Sequence, residues 1–546
     1  MKQLTPTQLP IWQELKAQVL KMNRSENHLK HLVQHSERLT DFSIKTDDFF
    51  YDFSRQRVNG ETMALLFELA RERNLPRQFE NMISGAKMNL TENRAALHTA
   101  SRNFSDQPLL MDGHDVMPEI RRIRADMKAF SEDVHKGKIV GATGKAFEHI
   151  VVIGIGGSYL GTAFLSEALK AFSEKKMALH YLANVDIHNF GQIVREIDPE
   201  TTLWIVISKS YTTAETAANE AQARAFMAQK GLSPKHHFVT VTAKGSPGDR
   251  PDSADMLASF HMFDFIGGRY SATSAVGGVP LSLFLGYDRF ERLLKGAESM
   301  DRHAAEAPIF QNAPLIAALI SIWNNNFLGY PAQAIIAYAE PLCKLAPHVQ
   351  QLNMESNGKS VSVTGEAVGI DTGGIIFGEP GTNAQHSFFQ LAHQGRPFPI
   401  EFIGVVTPQF TGYPLTSKGV TNHQELWANL ISQPQALAVG KDSDDPARSF
   451  SGNRPSSTIL LPDLSPESVG KLLSFYEAKT VYEAFIWGIN PFDQFGVELG
   501  KKLASDIRSE MVQKNRNDSH AFEGVDPISR YYLNALFSKK NAWPIR

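Results

Sequence analysis

An α/β fold, with two mainly parallel sheets covered by helices on both faces, is what this sequence predicts. Short apolar runs alternate with amphipathic stretches from about residue 148 onward, which is the pattern of buried strands joined by crossover helices. The alternation comes in two blocks, roughly 120–280 and 310–500, one for each sheet. Ahead of them Ile11, Leu15, Val19 and Met22 recur at helical spacing, so the N-terminal segment reads as helix.

Taken in order, the candidate strands are 149–153 (HIVVI), 203–207 (LWIVI), 238–241 (FVTV), 333–337 (QAIIA) and 400–406 (IEFIGVV). Helical patterns at 160–172 and 215–229 lie between them. Exposed connections are expected at 244–253 (KGSPGDRPDS) and 440–457 (GKDSDDPARSFSGNRPSS), both rich in Gly, Pro, Ser and Asp and without apolar periodicity. Asp526-Pro527 supplies an N-cap and a proline at the first helical position, opening a last helix that runs through Phe537.

Composition narrows the function. At 546 residues, two or more domains are the prior, and 42% hydrophobic with 21% charged residues is a soluble globular composition. A net charge of -3 argues against general polyanion binding, nucleic acid included, but leaves room for a local basic pocket for one small anion. The single cysteine, Cys343, excludes an intramolecular disulfide and fits a reducing compartment. The N-terminus has no signal-peptide core, and apolar stretches such as 315–323 fall short of the ~18–20 residues that span a bilayer, so a cytoplasmic location is expected.

Two turns have the chemistry to hold a phosphate. Directly after HIVVI comes Gly154-Ile155-Gly156-Gly157-Ser158, then a helical pattern; such a turn exposes backbone N–H groups beside the positive end of a helix. Tight bending alone would also explain the glycines. The dinucleotide fingerprint is broken, because Tyr159 stands where its third glycine belongs, and there is no Walker lysine. The second turn, 208–216 (SKSYTTAET), carries five serine and threonine hydroxyls and Lys209 between a strand and a helix. Helix capping accounts for one or two of them. Ligands of open α/β sheets bind beyond the carboxyl ends of the strands, where both turns would meet.

Four further clusters set donors or titratable groups beside glycine. In 267–271 (GGRYS) the Arg269 guanidinium projects from a turn. In 351–359 (QLNMESNGK) a helix with apolar face Leu345, Val349 and Leu352 should end at an Asn357-Gly358 C-cap. Glu355 then falls in the last turn, where the helix dipole disfavours a carboxylate and makes it a better base; the plain alternative is a solvated surface glutamate. His386, in 378–387 (GEPGTNAQHS), is either a proton shuttle or a structural histidine. The segment 492–501 (FDQFGVELGK) adds Gln494 and Lys501. With no H-E-x-x-H and no cysteine pair, a metal site is not expected.

In order and spacing GIGGS, SKSYTTAET, GGRYS, MESNGK, GEPGTNAQH and FDQFGVELGK resemble the phosphoglucose isomerases, as do DFSRQR at 52–57 and SGAKMNLTENRAALH at 84–98. The resemblance covers almost the whole chain. It implies two αβα sugar-isomerase (SIS-type) domains, a C-terminal arm, no cofactor, and a homodimer with active sites near the subunit interface. The expected layout is an N-terminal helical segment packing on the larger domain (1–110), a smaller first domain (111–282), a larger second one (283–505) and a helical arm (506–546). Carried over by motif, Gly157, Ser158, Ser208, Ser210 and Thr213 would hold a sugar phosphate, with Lys209 close by. Glu355 would move a proton between C1 and C2 through a cis-enediol, and Arg269 would stabilise its negative charge. His386, reaching in from the partner subunit, and Lys501 would assist ring opening, with Gln351 and Gln494 positioning the sugar.

Some positions depart from the family pattern. Ser210 replaces a threonine, Thr162 a proline, Ala384 a glycine, and Phe377 and Phe495 tryptophans, while residues 270–283 (YSATSAVGGVPLSL) are less bulky than usual. None removes an expected catalytic side chain. Rival readings are a non-catalytic sugar-phosphate sensor of the same fold, an isomerase of an aminosugar or mannose phosphate, and a nucleotide-dependent oxidoreductase.

Overall fold

In the computed structural model, residues 5–173, 177–249 and 255–538 are described. The chain forms two compact units, Met1–Phe492 and Asp493–Arg546.

The first unit holds thirteen described strands. They are β1 (Ser43–Lys45), β2 (Phe50–Asp52), β3 (Leu110–Met111), β4 (His114–Asp115), β5 (His149–Ile153), β6 (Ala178–Leu182), β7 (Thr202–Ile207), β8 (Phe238–Ala243), β9 (Ala258–Met262), β10 (Ala332–Tyr338), β11 (Ile375–Phe377), β12 (Ile400–Val405) and β13 (Ser456–Leu461). One sheet is wholly parallel, in the order β6-β5-β7-β8-β9. The other runs β1-β2-β13-β12-β10-β11, parallel except for the antiparallel pairs β1–β2 and β2–β13. All five strands expected from the sequence are present, because continuous β-branched and aromatic runs suit strands buried on both faces: β7 is buried at every position.

Side-chain alternation divides each sheet between two cores. Val151, Ile153, Trp204 and Val206 face one outer layer, whereas Ile150, Val152, Leu203 and Ile205 face the main core. In the second sheet Ala334, Ile336 and Phe402 face outward and Ile335, Ala337 and Ile403 face the same main core. Through that core runs the long helix Pro466–Trp487, buried along most of its length. The two sheets thus share one central apolar layer.

The N-terminal segment opens with the helix Pro10–Met22, whose Ile11, Trp12, Leu15 and Met22 are buried while Val19 is only half so. Beyond the expected helices it also lends β1 and β2 to the second sheet. The 160–172 helix is α-helical only over Leu160–Ala168 and closes as a 3-10 turn, Lys170–Phe172. The expected connection 440–457 runs two residues too far, since Ser456 and Ser457 open β13. These serines are buried in the sheet, where Ser457 Oγ donates to Glu401 Oε2 on β12 at 3.4 Å, so polar residues sit inside a strand. Of the 244–253 connection, residues 250–253 lie outside the described residues.

In the second unit are the helices Glu498–Arg516 and Pro527–Phe537. Asp526 caps the latter as expected, its Oδ1 accepting from the Ile528 and Ser529 amides at 3.0 and 3.1 Å. Among the described residues no helix is long and apolar enough to cross a membrane.

Candidate active site

Strand order places the site. In the parallel sheet β5 lies between β6 and β7, so the chain leaves β5 in one direction and returns on its other side. The carboxyl ends of β5 and β7 therefore flank the switch point where ligands of open α/β sheets bind. Those ends carry the two turns expected to hold phosphate.

After β5 the chain bends through the 3-10 turn Gly156–Ser158 into Leu160–Ala168. Gly157 is required by a close approach: a Cβ there would stand 2.2 Å from the carbonyl carbon of Gly268. The GIGGS and GGRYS turns are therefore in direct contact. Ser271 Oγ joins them, donating to Gly268 O at 2.6 Å and to Gly157 O at 3.3 Å.

Beyond β7, Ser208 is buried and its Oγ has no hydrogen-bond partner among the described residues. An orphaned buried hydroxyl costs free energy unless something else bonds it. Thr213 stands at the N-cap of Ala214–Gln229 without using its hydroxyl to cap. Ser210 Oγ and Thr212 Oγ1 are 2.6 Å apart. Between them Tyr211 takes a left-handed φ of 56°, a strained conformation for an aromatic residue. Its hydroxyl is tied down, donating to Glu220 Oε2 at 2.7 Å. Lys209 Nζ donates to the carbonyls of Asp264 and Ile266 at 2.8 and 3.2 Å, just before GGRYS. Burial, and next the Arg94 charge, push the Lys209 ammonium down to about 8.

Glu355 lies on a stretch that changes helical type. The chain is α-helical over Leu345–Val349 and π-helical over Gln350–Glu355. Glu355 Oε2 accepts from Arg269 Nη1 and from Gln351 Nε2, each at 3.2 Å. Gln351 in turn faces the glycine turn, its Nε2 3.1 Å from where a Cβ of Gly156 would be. The Arg269 guanidinium is buried and held from behind, donating through Nε to Ser356 Oγ at 2.6 Å and through Nη2 to Pro491 O at 2.6 Å. Tyr270 Oη lies 3.0 Å from the same Ser356 hydroxyl, and burial pushes the phenol up to about 12. Lys359 Nζ donates to the carbonyls of Glu355 and Ser356 at 2.9 and 2.8 Å, offsetting the negative helix end.

The expected C-cap does not form. Neither Asn357 nor Gly358 adopts a left-handed φ, and the Asn357 amide is drawn instead to buried Glu483 and to Thr480 O. Gly358 is needed for space, since a Cβ would stand 2.7 Å from Met354 O.

Gly157, Arg269, Gln351 and Glu355 are thus in one contact network, with Ser158 in the same turn as Gly157. Ser208, Lys209, Ser210 and Thr213 line the neighbouring turn. His386 is not brought into that network. It follows the short helix Gly381–Gln385 after β11 and is exposed; its amide closes that helix on Asn383 O at 3.0 Å, while its imidazole has no hydrogen bond, ion pair or ring contact among the described residues. Gln494 and Lys501 belong to the second unit, Gln494 just before the turn Phe495–Val497 and Lys501 in the first turn of Glu498–Arg516, both exposed. Among the described residues no group of three or more His, Cys, Asp or Glu side chains is placed to hold a metal ion.

Residues 52–524 match the family model described as phosphoglucose isomerase. The chain belongs to the phosphoglucose isomerase family. A glucose-6-phosphate isomerase of Desulfosudis oleivorans is 66% identical over 538 residues, covering 98% of both chains. A cytosolic glucose-6-phosphate isomerase of Oryza sativa is 44% identical over 98% of this chain and 96% of its own. The crystal structure of a glucose-6-phosphate isomerase from Chlamydia trachomatis superposes with a TM-score of 0.88 at 38% identity, covering 98% of this chain and 99% of that one.

Within the phosphoglucose isomerase motifs, sequence reasoning overlooked the side chains that hold Arg269. Ser356 and Tyr270 stand beside the residues it singled out, and their presence in GGRYS and MESNGK was the available signal. DFSRQR, by contrast, is scaffold: Arg57 donates to Tyr330 Oη and Asn23 Oδ1 at 3.1 and 2.7 Å. The departure at Ala384 is absorbed, its methyl group fully buried in the outer core of the second sheet.

Proposed function

We propose that this chain interconverts D-glucose 6-phosphate and D-fructose 6-phosphate, an aldose–ketose isomerisation of glycolysis and gluconeogenesis. The observation that carries this reading is the Glu355 carboxylate bonded by Arg269 and Gln351 beside two hydroxyl-bearing, glycine-flanked turns. The phosphate sits against Gly157, Ser158, Ser208, Ser210 and Thr213, with the Lys209 ammonium nearby. Hydroxyl and amide donors to a dianion are charge-assisted and contribute about 1.5–3 kcal/mol each.

Isomerisation begins with ring opening, in which the C1 hydroxyl loses a proton and the ring oxygen gains one; His386 and Lys501 assist this step. Glu355 then removes the C2 proton of the aldose. The electron pair forms the C1–C2 double bond of a cis-enediol, and negative charge grows on its oxygens. Arg269, permanently charged and rigidly held, is suited to stabilise that charge. A proton passes from O2 to O1 and the carbon-bound proton returns from Glu355 to C1, which completes the ketose, while Gln351 and Gln494 orient the sugar. The second reading, a regulator that binds without catalysis, is disfavoured because base, guanidinium, histidine and ammonium are all retained.

Conversion of fructose 6-phosphate by the purified chain, with a chelator and no nucleotide, tests the activity. Rapid conversion is expected, and a folded, ligand-binding but inert protein would overturn it. We further propose a cytoplasmic homodimer in which His386 serves the partner's site. It is supported by the exposure of His386 outside the Glu355 network. Sedimentation at assay concentration should show a dimer; a fully active monomer would contradict the shared site.

A further inference from the structure

Directly behind the turn that carries Glu355 is a buried ion pair. Lys479 and Glu483 stand one turn apart on the helix Pro466–Trp487, their side chains only 5% and 1% exposed, with Lys479 Nζ donating to Glu483 Oε1 at 2.6 Å. The other carboxylate oxygen, Oε2, accepts from Asn353 Nδ2 at 2.5 Å and from Asn357 Nδ2 at 2.9 Å. These two asparagines lie two residues before and two residues after Glu355, on the buried side of the turn. Glu355 itself points to the other side, toward Arg269 and Gln351.

Three features make this arrangement more than packing. A buried ion pair rarely adds stability over well-packed apolar residues of similar volume, so retaining one calls for another explanation. The Gln350–Glu355 segment is π-helical, a form that occurs as single turns at functional sites and that needs tertiary support. Finally, one carboxylate oxygen grips the turn on both sides of Glu355, so a shift of Glu483 would shift the carboxylate with it. Lys479 keeps that grip in register by holding the second oxygen.

We propose that Glu483, held by Lys479, is a positioning residue for proton transfer: it pins the π-helical turn through Asn353 and Asn357 and so sets the reach of Glu355 to C1 and C2. This rests on Glu355 being the base. A misplacement of about 1 Å can slow a positioned reaction by ~100-fold without touching the groups that hold the phosphate. The binding turns after β5 and β7 lie outside this clamp.

The test compares Glu483→Gln, Asn353→Leu and Glu355→Gln in the full-length chain, reading kcat, KM and the primary isotope effect on glucose 6-phosphate deuterated at C2. Glu483→Gln should lower kcat about 10–100-fold, leave KM near the parent value, and enlarge the isotope effect as proton transfer becomes slower than the other steps. Asn353→Leu, which leaves Glu483 bonded to Lys479 and Asn357, should move the same quantities less far. It also decides the matter should Glu483→Gln fail to fold. Parent-like kcat and isotope effect in a folded Glu483→Gln or Asn353→Leu variant would overturn the positioning role. So would a kcat loss with no change in isotope effect. If Glu355→Gln keeps parent turnover, the base assignment is what has failed.

Discussion

In the proposed phosphate site, Lys209 would set a pH dependence that the serine and threonine hydroxyls would not. Burial, with Arg94 second, pushes its ammonium down to about 8, so it is charged below that pH and neutral above it. Its charge aids binding of a phosphate dianion only while protonated. The kcat/KM for the sugar phosphate should therefore fall as pH rises through about 8, and Lys209→Met should flatten that limb of the pH profile. Ser208 gives a complementary prediction. Its buried hydroxyl has no partner in the chain, so Ser208→Ala should leave thermal stability unchanged or raise it by about 1 kcal/mol, while KM rises several-fold. Glu355 and Arg269 were legible in the sequence because each stands in a glycine-flanked motif. Their contact was not, since it joins side chains 86 positions apart through a tertiary approach that no local pattern encodes.

Among the elements, legibility followed burial. β5, β7, β8, β10 and β12 are largely buried on both faces, and their apolar residues read as short runs. β13 did not, because its first two residues are serines, of which Ser457 bonds Glu401 inside the sheet. The three-residue strands β1 and β2 are too short to show a period. At the Glu355 helix the Asn-Gly pair signalled a C-cap, but a buried carboxylate outcompetes the cap for the asparagine amide. The cap at Asp526 is purely local and was read correctly. Asp526→Ala should destabilise the helix Pro527–Phe537, seen as faster amide exchange in that helix with little change in the first unit.

Across the first unit, the central helix Pro466–Trp487 ties the two sheets together and carries its own charges inward. Arg102 bonds Asp301 at 2.6 Å and pairs with Glu477 at 2.5 Å, all three largely buried. Burial, opposed in part by Arg102, pushes the Glu477 carboxyl up to about 7. The folded state then holds this proton more tightly than the unfolded one. Stability from this group is full below about 4.5 and is lost as pH rises through about 7. Melting temperature should decline across that window in the parent, and less steeply in Glu477→Gln. Removing Asp301 instead, as Ala, should cost about 3–5 kcal/mol by leaving a buried guanidinium short of a partner. The most direct test of the account is turnover of fructose 6-phosphate in deuterated water by the parent and by Glu355→Gln. The parent should convert it rapidly and place solvent deuterium at C2 of the glucose 6-phosphate formed. Glu355→Gln should stay folded, still bind the sugar phosphate, and lose both turnover and incorporation by about 100–10,000-fold. Parent-like turnover in that variant would contradict Glu355 as the base of the reaction.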